Sequence, residues 1–313
     1  MHYGMLVSVV VPIYNRAHLV PRVVGSICAQ TYRNLEIILA DDCSTDDLES
    51  AVAALEDPRV RIVRREQNGG VAAARNTGVD AAQGELIAFH DSDDYCTADR
   101  IELSVRALLD LPEDYAGVYG ARLFYNEVSE EDYGRMKVHI LPRAGNARVS
   151  GDLAERTVRS NILNFPTLLV KAESLRAAGP SDVLLRKNVD WDLALRLTRQ
   201  GKFGFIPEPL ILTPTSLDPE VSAARVSRST RQGARSFARI SGKLRHQGAD
   251  PDILATHYGT TGRYLMRLDR PGFARRFFRA SLDCNRLQPK LWVHYLLSYA
   301  PGLHRRLRSE GQL

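Results

Sequence analysis

Short β-branched runs alternate with amphipathic stretches from residue 7 to residue 109. Val7-Ser8-Val9-Val10-Val11-Pro12 is mostly apolar without alternation and ends in proline, the pattern of a strand buried on both faces of a parallel sheet. From Leu19 to Gln30 the apolar positions Val20, Val23, Val24 and Ile27 fall on one side of a helix. Leu35 to Ala40 predicts a second strand, which runs directly into Asp41-Asp42-Cys43-Ser44-Thr45-Asp46. Ser44 and Asp46 are residue types that cap helix N-termini, and they predict a helix reaching Val52 and Leu55. Val60 to Val63 gives a third strand, and the alanine-rich stretch after Asn68-Gly69-Gly70 a third helix. Leu86 to Phe89 gives a fourth strand and Asp99 to Leu109 a fourth helix.

Strand-helix alternation of this kind implies right-handed crossovers and an α/β fold, a mostly parallel sheet flanked by helices. In such sheets a ligand sits beyond the carboxyl ends of the strands. Three of those ends carry polar signals: Pro12-Ile13-Tyr14-Asn15-Arg16, Asp41-Asp42, and Asp91-Ser92-Asp93-Asp94. The last places three carboxylates within four residues, which cannot be buried without a cation. Carboxylates at a strand end suit a hard divalent metal that in turn holds phosphate oxygens. A solvated acidic turn has the same composition, so the cluster alone leaves both readings open. No G-x-G-x-x-G follows the first strand, which argues against a dehydrogenase.

Further on, Val118 to Leu123 and Phe165 to Val170 read as strands, and the polar, irregular stretch 125–160 between them as a long functional loop or flap. Asn188-Val189-Asp190-Trp191-Asp192-Leu193 starts a helix with Trp191, Leu193 and Leu197 turned inward. Residues two apart point to different sides of a helix, so Asp190 and Asp192 cannot both face one site. Beyond residue 220, Arg225, Arg228, Arg231, Arg235, Arg239 and Lys243 form a basic stripe at helical spacing. Helices are predicted at 251–268, 271–284 and 289–299, the last rich in aromatics and followed by Arg305, Arg306 and Arg308. Such a tail suits either an anionic membrane leaflet or a helical bundle whose basic face meets water or an acidic neighbour.

Charge divides the chain in two. Residues 1–215 hold 24 basic and 30 acidic side chains, residues 216–313 hold 18 and 7, so net charges of −6 and +11 adjoin. The expected organisation is a catalytic domain over 1–215 and a basic helical region over 216–313. No run of 18 apolar residues exists, and the N-terminus shows no secretory pattern. Cys28, Cys43, Cys96 and Cys284 lie far apart, as in a reduced, cytoplasmic protein, with the basic tail suited to the inner face of a membrane. The basic residues belong to no nucleic-acid reading module, so nucleic acid is not an expected partner; the sequence sets no oligomeric state.

Residues 7–15 (VSVVVPIYN), 40–46 (ADDCSTD), 68–78 (NGGVAAARNTG) and 90–94 (HDSDD) resemble, in that order, the successive signatures of family 2 glycosyltransferases. That is an inverting family with the GT-A fold, and the likeness spans about residues 5–215. The resemblance implies sugar transfer from a nucleotide-diphosphate sugar, a UDP-sugar first, to a hydroxyl of a glycan or lipid-linked acceptor in bacterial cell-surface synthesis. It implies that Pro12, Ile13 and Tyr14 line the nucleotide pocket and that Asp42 accepts a hydrogen bond from the base. Arg75 would contact the nucleotide or donor sugar, Asp91 with Ser92 would hold the ribose side, and Asp93 would ligate Mn or Mg. Asp190 would be the general base. Where the family carries a glutamate before that base this chain has Val189, and Ile211-Leu212-Thr213-Pro214-Thr215 lacks the histidine often found there. These departures leave room for a nucleotide-sugar binder or scaffold without turnover. A sugar nucleotidyltransferase is a further rival, but its glycine-rich loop is missing after the first strand.

Overall fold

The computed structural model describes residues 4–126, 138–141, 148–214 and 230–309. Its contacts divide into two units, one of Met1–Val183 with Asp190–Ala224, the other of Leu184–Val189 with Arg225–Leu313.

In the first unit the strands are β1 (Val7–Ile13), β2 (Leu35–Asp41), β3 (Val60–Arg64), β4 (Leu86–Phe89), β5 (Tyr95–Cys96), β6 (Tyr115–Tyr125), β7 (Val138–Leu141), β8 (Leu169–Lys171) and β9 (Lys202–Pro214). They form one sheet in the order β3-β2-β1-β4-β8-β6-β9-β5, with β7 against β6. The half made by strand-helix alternation, β3-β2-β1-β4, is parallel throughout. Beyond β4 the sheet is mixed: β8 is antiparallel to β4 and β6, while β6 and β9 run parallel. Helices α1 (Val20–Cys28), α2 (Leu48–Ala53), α3 (Val71–Ala81), α4 (Arg100–Leu109), α5 (Ala154–Arg159), α6 (Ala172–Ala178) and α7 (Val189–Leu197) accompany it.

Every residue of β1 is buried, and all but Ser8 are apolar. Val7, Val9, Val11 and Ile13 join Val20, Val24 and Ile27 of α1 and Ile101 and Val105 of α4 in one core. Val10 points the other way, into a second core with Phe89, Tyr119, Phe165, Leu193 and Leu197. Parallel pairing sets Ile13 opposite Asp41 and Val10 opposite Phe89. The Asp42 N–H donates to the Ile13 carbonyl at 2.9 Å and the His90 N–H to the Val10 carbonyl at 3.0 Å. The turns leaving β1, β2 and β4 therefore emerge side by side on one edge, and this places the site.

The second unit holds α8 (Thr230–His246), α9 (Pro251–Arg267), α10 (Pro271–Cys284), α11 (Pro289–Leu297) and α12 (Pro301–Ser309). The last four each open on a proline, whose fixed φ and missing N–H suit a first helical position. Met266, Ala274, Phe278, Leu282 and Leu291 pack into one cluster, and Ile240 and Leu244 of α8 and Ile253 and Leu254 of α9 are buried as well.

Several expectations change. The predicted strand at 165–170 begins instead as a 3-10 turn, Phe165–Thr167, and only Leu169–Lys171 is strand. Pro166 has no N–H for a ladder, and the Thr167 hydroxyl bonds to both the N–H and the carbonyl of Gly120 in place of backbone pairing. Asp47, not Ser44 or Asp46, caps α2, accepting from the Ser50 N–H at 3.1 Å. Within 125–160 the structure describes β7 and α5, while 127–137 and 142–147 lie outside the described residues. Arg225 and Arg228 of the basic stripe lie outside them too, and α12 was not anticipated as a helix.

Where α3 crosses the sheet, a Cβ on Gly78 would stand 2.5 Å from Val10 Cγ1 and 3.1 Å from Ala40 Cβ. Val10 is fully buried and stiff at χ1, so it has little room to yield. Alanine improves an exposed helix by about 1 kcal/mol over glycine, whereas overpacking costs about 1–3 kcal/mol. Gly78→Ala should thus lower the unfolding free energy by roughly 1–2 kcal/mol, read from the denaturant midpoint. Measured on a Val10→Ala background the same change should cost less, because Cγ1 is gone; a midpoint that rises on Gly78→Ala alone would show that α3 has space against β1.

Candidate active site

The loops after β1 and β2 are laced together by side chains accepting from backbone N–H groups. Ser44 Oγ accepts from Asn15 N at 2.9 Å, Asp46 Oδ2 from Ala17 N at 2.6 Å, and Asn15 Oδ1 from Thr45 N at 2.8 Å. Asn15 and Cys43 both take left-handed backbone conformations, φ +49° and +67°. Pro12 and Ile13 are buried within β1, and Tyr14, 46% exposed, is the member of that trio whose side chain meets solvent.

Asp42 shapes the neighbouring turn. Its Oδ1 accepts from Gly69 N at 2.8 Å and Arg65 Nε at 3.1 Å, its Oδ2 from Gly70 N at 2.6 Å. Gly70, at φ +83°, starts α3 from a conformation that glycine adopts without strain. A carboxylate has about four lone-pair positions, so about half of the Asp42 capacity holds the Gly69-Gly70 turn and a third position takes Arg65. Arg75, on α3, is buried, lies 5.5 Å above the Phe165 ring and donates to Asp91 Oδ1 at 3.0 Å.

After β4 the three carboxylates do come together. Ligand-type oxygens of Asp91, Asp93 and Asp94 all lie within 4.8 Å of one another. Each faces an arginine from a different element: Arg75 on Asp91, Arg16 on Asp93 at 3.6 Å, and Arg122 of β6 on Asp94 Oδ1 at 2.7 Å. Arg16 also donates to Ser92 Oγ at 2.9 Å. Burial would raise the Asp91 carboxyl, but Arg75 and Arg122 more than offset it and hold it below the usual range. Asp94 is completely buried, and burial, with Asp91 and Asp93 adding to it against Arg122, pushes its carboxyl up to about 7. Its Oδ1 is satisfied by Arg122 and the Thr213 hydroxyl at 2.8 Å, while Oδ2 has no hydrogen-bond partner. A buried, unpartnered carboxylate oxygen among two further carboxylates is the donor set a hard divalent cation takes, and the residues fit such an ion.

His90 and Arg100 underpin this turn. Arg100 donates to the Phe89 carbonyl at 2.6 Å and lies 3.0 Å from His90 Nδ1. Arginine only donates, so Nδ1 is the acceptor and the proton sits on Nε2, which donates to the Asp94 carbonyl at 3.1 Å. Burial, helped by Arg100, lowers the imidazole to about 3 and keeps it neutral.

On α7, Asp190 is half-buried, and its Oδ2 accepts from Asn161 Nδ2 at 2.7 Å. Trp191 turns inward and donates to the Thr157 carbonyl at 2.7 Å. Asp192 is 2% exposed and pairs with Arg196 at 3.1 Å, so the two aspartates do differ in setting. The segment leading to α7 is tied to α3 by a reciprocal pair between Asn76 and Ser181, 2.9 and 2.7 Å.

A family model described as glycosyl transferase family 2 matches residues 8–193, from the second residue of β1 to the middle of α7. The chain belongs to that family. WfgD of Escherichia coli, a UDP-Glc:alpha-D-GlcNAc-diphosphoundecaprenol beta-1,3-glucosyltransferase, is 38% identical over 33% of this chain and 41% of its own length. The succinoglycan biosynthesis protein ExoO of Rhizobium meliloti is 32% identical over 50% of this chain and 43% of its own. The chain thus spans less than half the length of these curated relatives. Among solved structures, S. aureus TarS 1-349 with UDP-GlcNAc superposes with a TM-score of 0.68 at 17% identity, covering 98% of this chain and 93% of that one. The mannosyltransferase PcManGT of Pyrobaculum calidifontis, with GDP-Man and Mn2+, gives 0.57 at 19%, covering 98% and 83%. At these identities the likeness is one of fold, the GT-A type.

Against this family 2 background, the residues that sequence reasoning did not single out are Asp94 and the partners that hold the acidic side chains, Arg16, Arg122, Thr213 and Asn161. Arg16 stood in the quoted Pro-Ile-Tyr-Asn-Arg stretch, and Asp94 was visible as the third carboxylate. Arg122, Thr213 and Asn161 carried no local signal, because their partners are 28, 119 and 29 positions away.

His90 gives the site an acid sensitivity of known sign. The folded chain keeps the ring neutral down to about pH 3, whereas the unfolded chain takes up a proton near 6.5. Between those values the unfolded state binds more protons, so this group lowers stability as pH falls from 6.5 towards 3. His90→Gln keeps an acceptor for Arg100 and a donor for the Asp94 carbonyl without titrating. Its stability should fall less than wild type between pH 6.5 and pH 4 in denaturant titrations; parallel losses would show that His90 is not held neutral.

Proposed function

We propose that this chain is an inverting glycosyltransferase that moves a sugar from a nucleotide-diphosphate donor, a UDP-sugar first, to a hydroxyl of a glycan or lipid-linked acceptor. The observation that carries this is the meeting of Asp91, Asp93 and Asp94 beyond the carboxyl ends of parallel strands, with one buried oxygen of Asp94 unpartnered. Family membership supports transfer chemistry, and the printed names of WfgD, of ExoO and of TuaG, a putative teichuronic acid biosynthesis glycosyltransferase of Bacillus subtilis, support bacterial surface polysaccharide as the setting. The UDP-GlcNAc of the TarS structure and the UDP-Glc in the WfgD name favour a uridine donor.

Tyr14, with Pro12 and Ile13 behind it, offers a ring against the base, and Asp42 both shapes the pocket edge through Gly69 and Gly70 and keeps an accepting position for the base. Arg75 contributes charge toward the nucleotide or donor sugar, and Asp91 with Ser92 faces the ribose side. Asp93, supported by Asp94, would hold Mn or Mg, which when bound would neutralise charge on the departing diphosphate. Asp190, positioned by Asn161, takes the proton of the acceptor hydroxyl as that oxygen attacks the anomeric carbon from the face opposite the leaving group. The bond to the sugar forms as the bond to the diphosphate breaks, so no enzyme nucleophile is required.

Asp93→Ala should remove the Mn-dependent part of UDP affinity in calorimetry while leaving a weak, metal-independent remainder; equal affinity with and without Mn in wild type would take Asp93 out of this role. Asp190→Asn should leave UDP binding within experimental scatter and depress sugar transfer by about 100-fold or more. An unaltered transfer rate would refute its assignment as base. Tight UDP binding by wild type with no turnover across donors and acceptors would favour a non-catalytic binder.

A further inference from the structure

The C-terminal unit carries a surface built of arginine and aromatic side chains. Phe273, Arg275, Arg276 and Arg279 of α10, with Tyr295 of α11 and Tyr299 just after it, line a groove of about 480 Å³. Arg275 lies 4.6 Å over the Tyr299 ring and donates to the Ser298 carbonyl at 2.9 Å, which fixes it at the groove wall. Arg276 and Arg279 are exposed, and among the described residues none of the three arginines pairs with a carboxylate. The Tyr295 and Tyr299 hydroxyls meet at 3.2 Å, and Trp292 sets its ring edge against Tyr295 at 6.0 Å. Beside this basic groove large apolar side chains stay in water: Phe273 is 56% exposed, Trp292 41% and Leu296 62%. Trp292 and Leu296 are four apart on α11 and share one of its faces.

Positive charge, Trp and Tyr at a polar-apolar boundary, and exposed Phe and Leu together are what a lipid-water interface accepts, with arginines on phosphates and rings at headgroup depth. A two-fold contact between copies through this face would set arginine against arginine, which like charge opposes. The stripe on α8 is a weaker candidate, since Arg239 and Lys243 already have partners.

We propose that the Arg275-Arg276-Arg279 groove and its aromatic rim form a docking site for an anionic phospholipid membrane. The proposal rests on the surface of the C-terminal unit alone and stands or falls independently of the reaction assigned to the other unit.

The test uses the full chain with vesicles of phosphatidylcholine and vesicles enriched in phosphatidylglycerol, followed by co-sedimentation and tryptophan emission. Trp191 is buried, so a change in emission reports Trp292. Anionic vesicles should bind the chain and shift its emission to the blue, added salt should reverse this, and neutral vesicles should bind far less. Arg276→Ala with Arg279→Ala alters exposed positions and should weaken partition by about five-fold for each arginine, roughly 25-fold for the pair, with UDP affinity unchanged. Trp292→Ala should remove the blue shift. Equal binding to neutral vesicles, no binding to either, or an arginine pair whose loss changes nothing would overturn the proposal. So would displacement from vesicles by a short RNA at equal charge, or self-association that covers Trp292 in their absence.

Discussion

Three carboxylates with oxygens inside 4.8 Å of each other repel strongly, and a chain can hold them there only by delivering counter-charge from elsewhere. This one does so with three arginines from three different places: the loop after β1, the first turns of α3, and the middle of β6. The parallel registers of β1, β2 and β4 are what bring the first loop and the acidic turn to the same edge. Antiparallel insertion of β8 then carries β6 and β9 round, so that Arg122 and Thr213 reach Asp94 from the far side. Fold and electrostatics are one solution here, because neither the acidic turn nor the arginines could be buried alone.

The arrangement stops short of full compensation. Asp94 keeps one oxygen without a partner, and its carboxyl is driven upward by burial and by its two acidic neighbours. Around it the scaffold is rigid: His90 is locked as a neutral donor, Arg100 is spent on the Phe89 carbonyl and His90, and Asp42 clamps the glycine turn that starts α3. Unmet demand inside a stiff frame is the form of pre-organisation expected where charge must be received without rearrangement.

How far this was legible in advance depended on the range of the interactions involved. The strands β1, β2 and β4 were readable because burial on both faces forces continuous apolar runs, and the acidic turn because its carboxylates are adjacent in sequence. The run at 165–170 misled because its apolar residues are real core, Phe165 and Leu168 included, while Pro166 breaks the ladder that apolarity alone suggests. Ser44 and Asp46 looked like helix caps, yet their oxygens accept from Asn15 and Ala17, a loop 29 residues away, and capping fell to Asp47. Arginines 16 and 122 could not be told from surface arginines until the sheet had brought them to their partners.

Three of the C-terminal helices, α9, α10 and α11, enclose a cluster of Met266, Ala274, Phe278, Leu282 and Leu291, and none of the signature residues of the other unit lies among them. Ala234, Ile240, Leu244, Ile253 and Leu254 are buried as well, in α8 and α9. Exchange of an exposed residue on these helices should therefore cost little stability, typically within about 0.5 kcal/mol. One interior of this kind is compatible with many different exteriors.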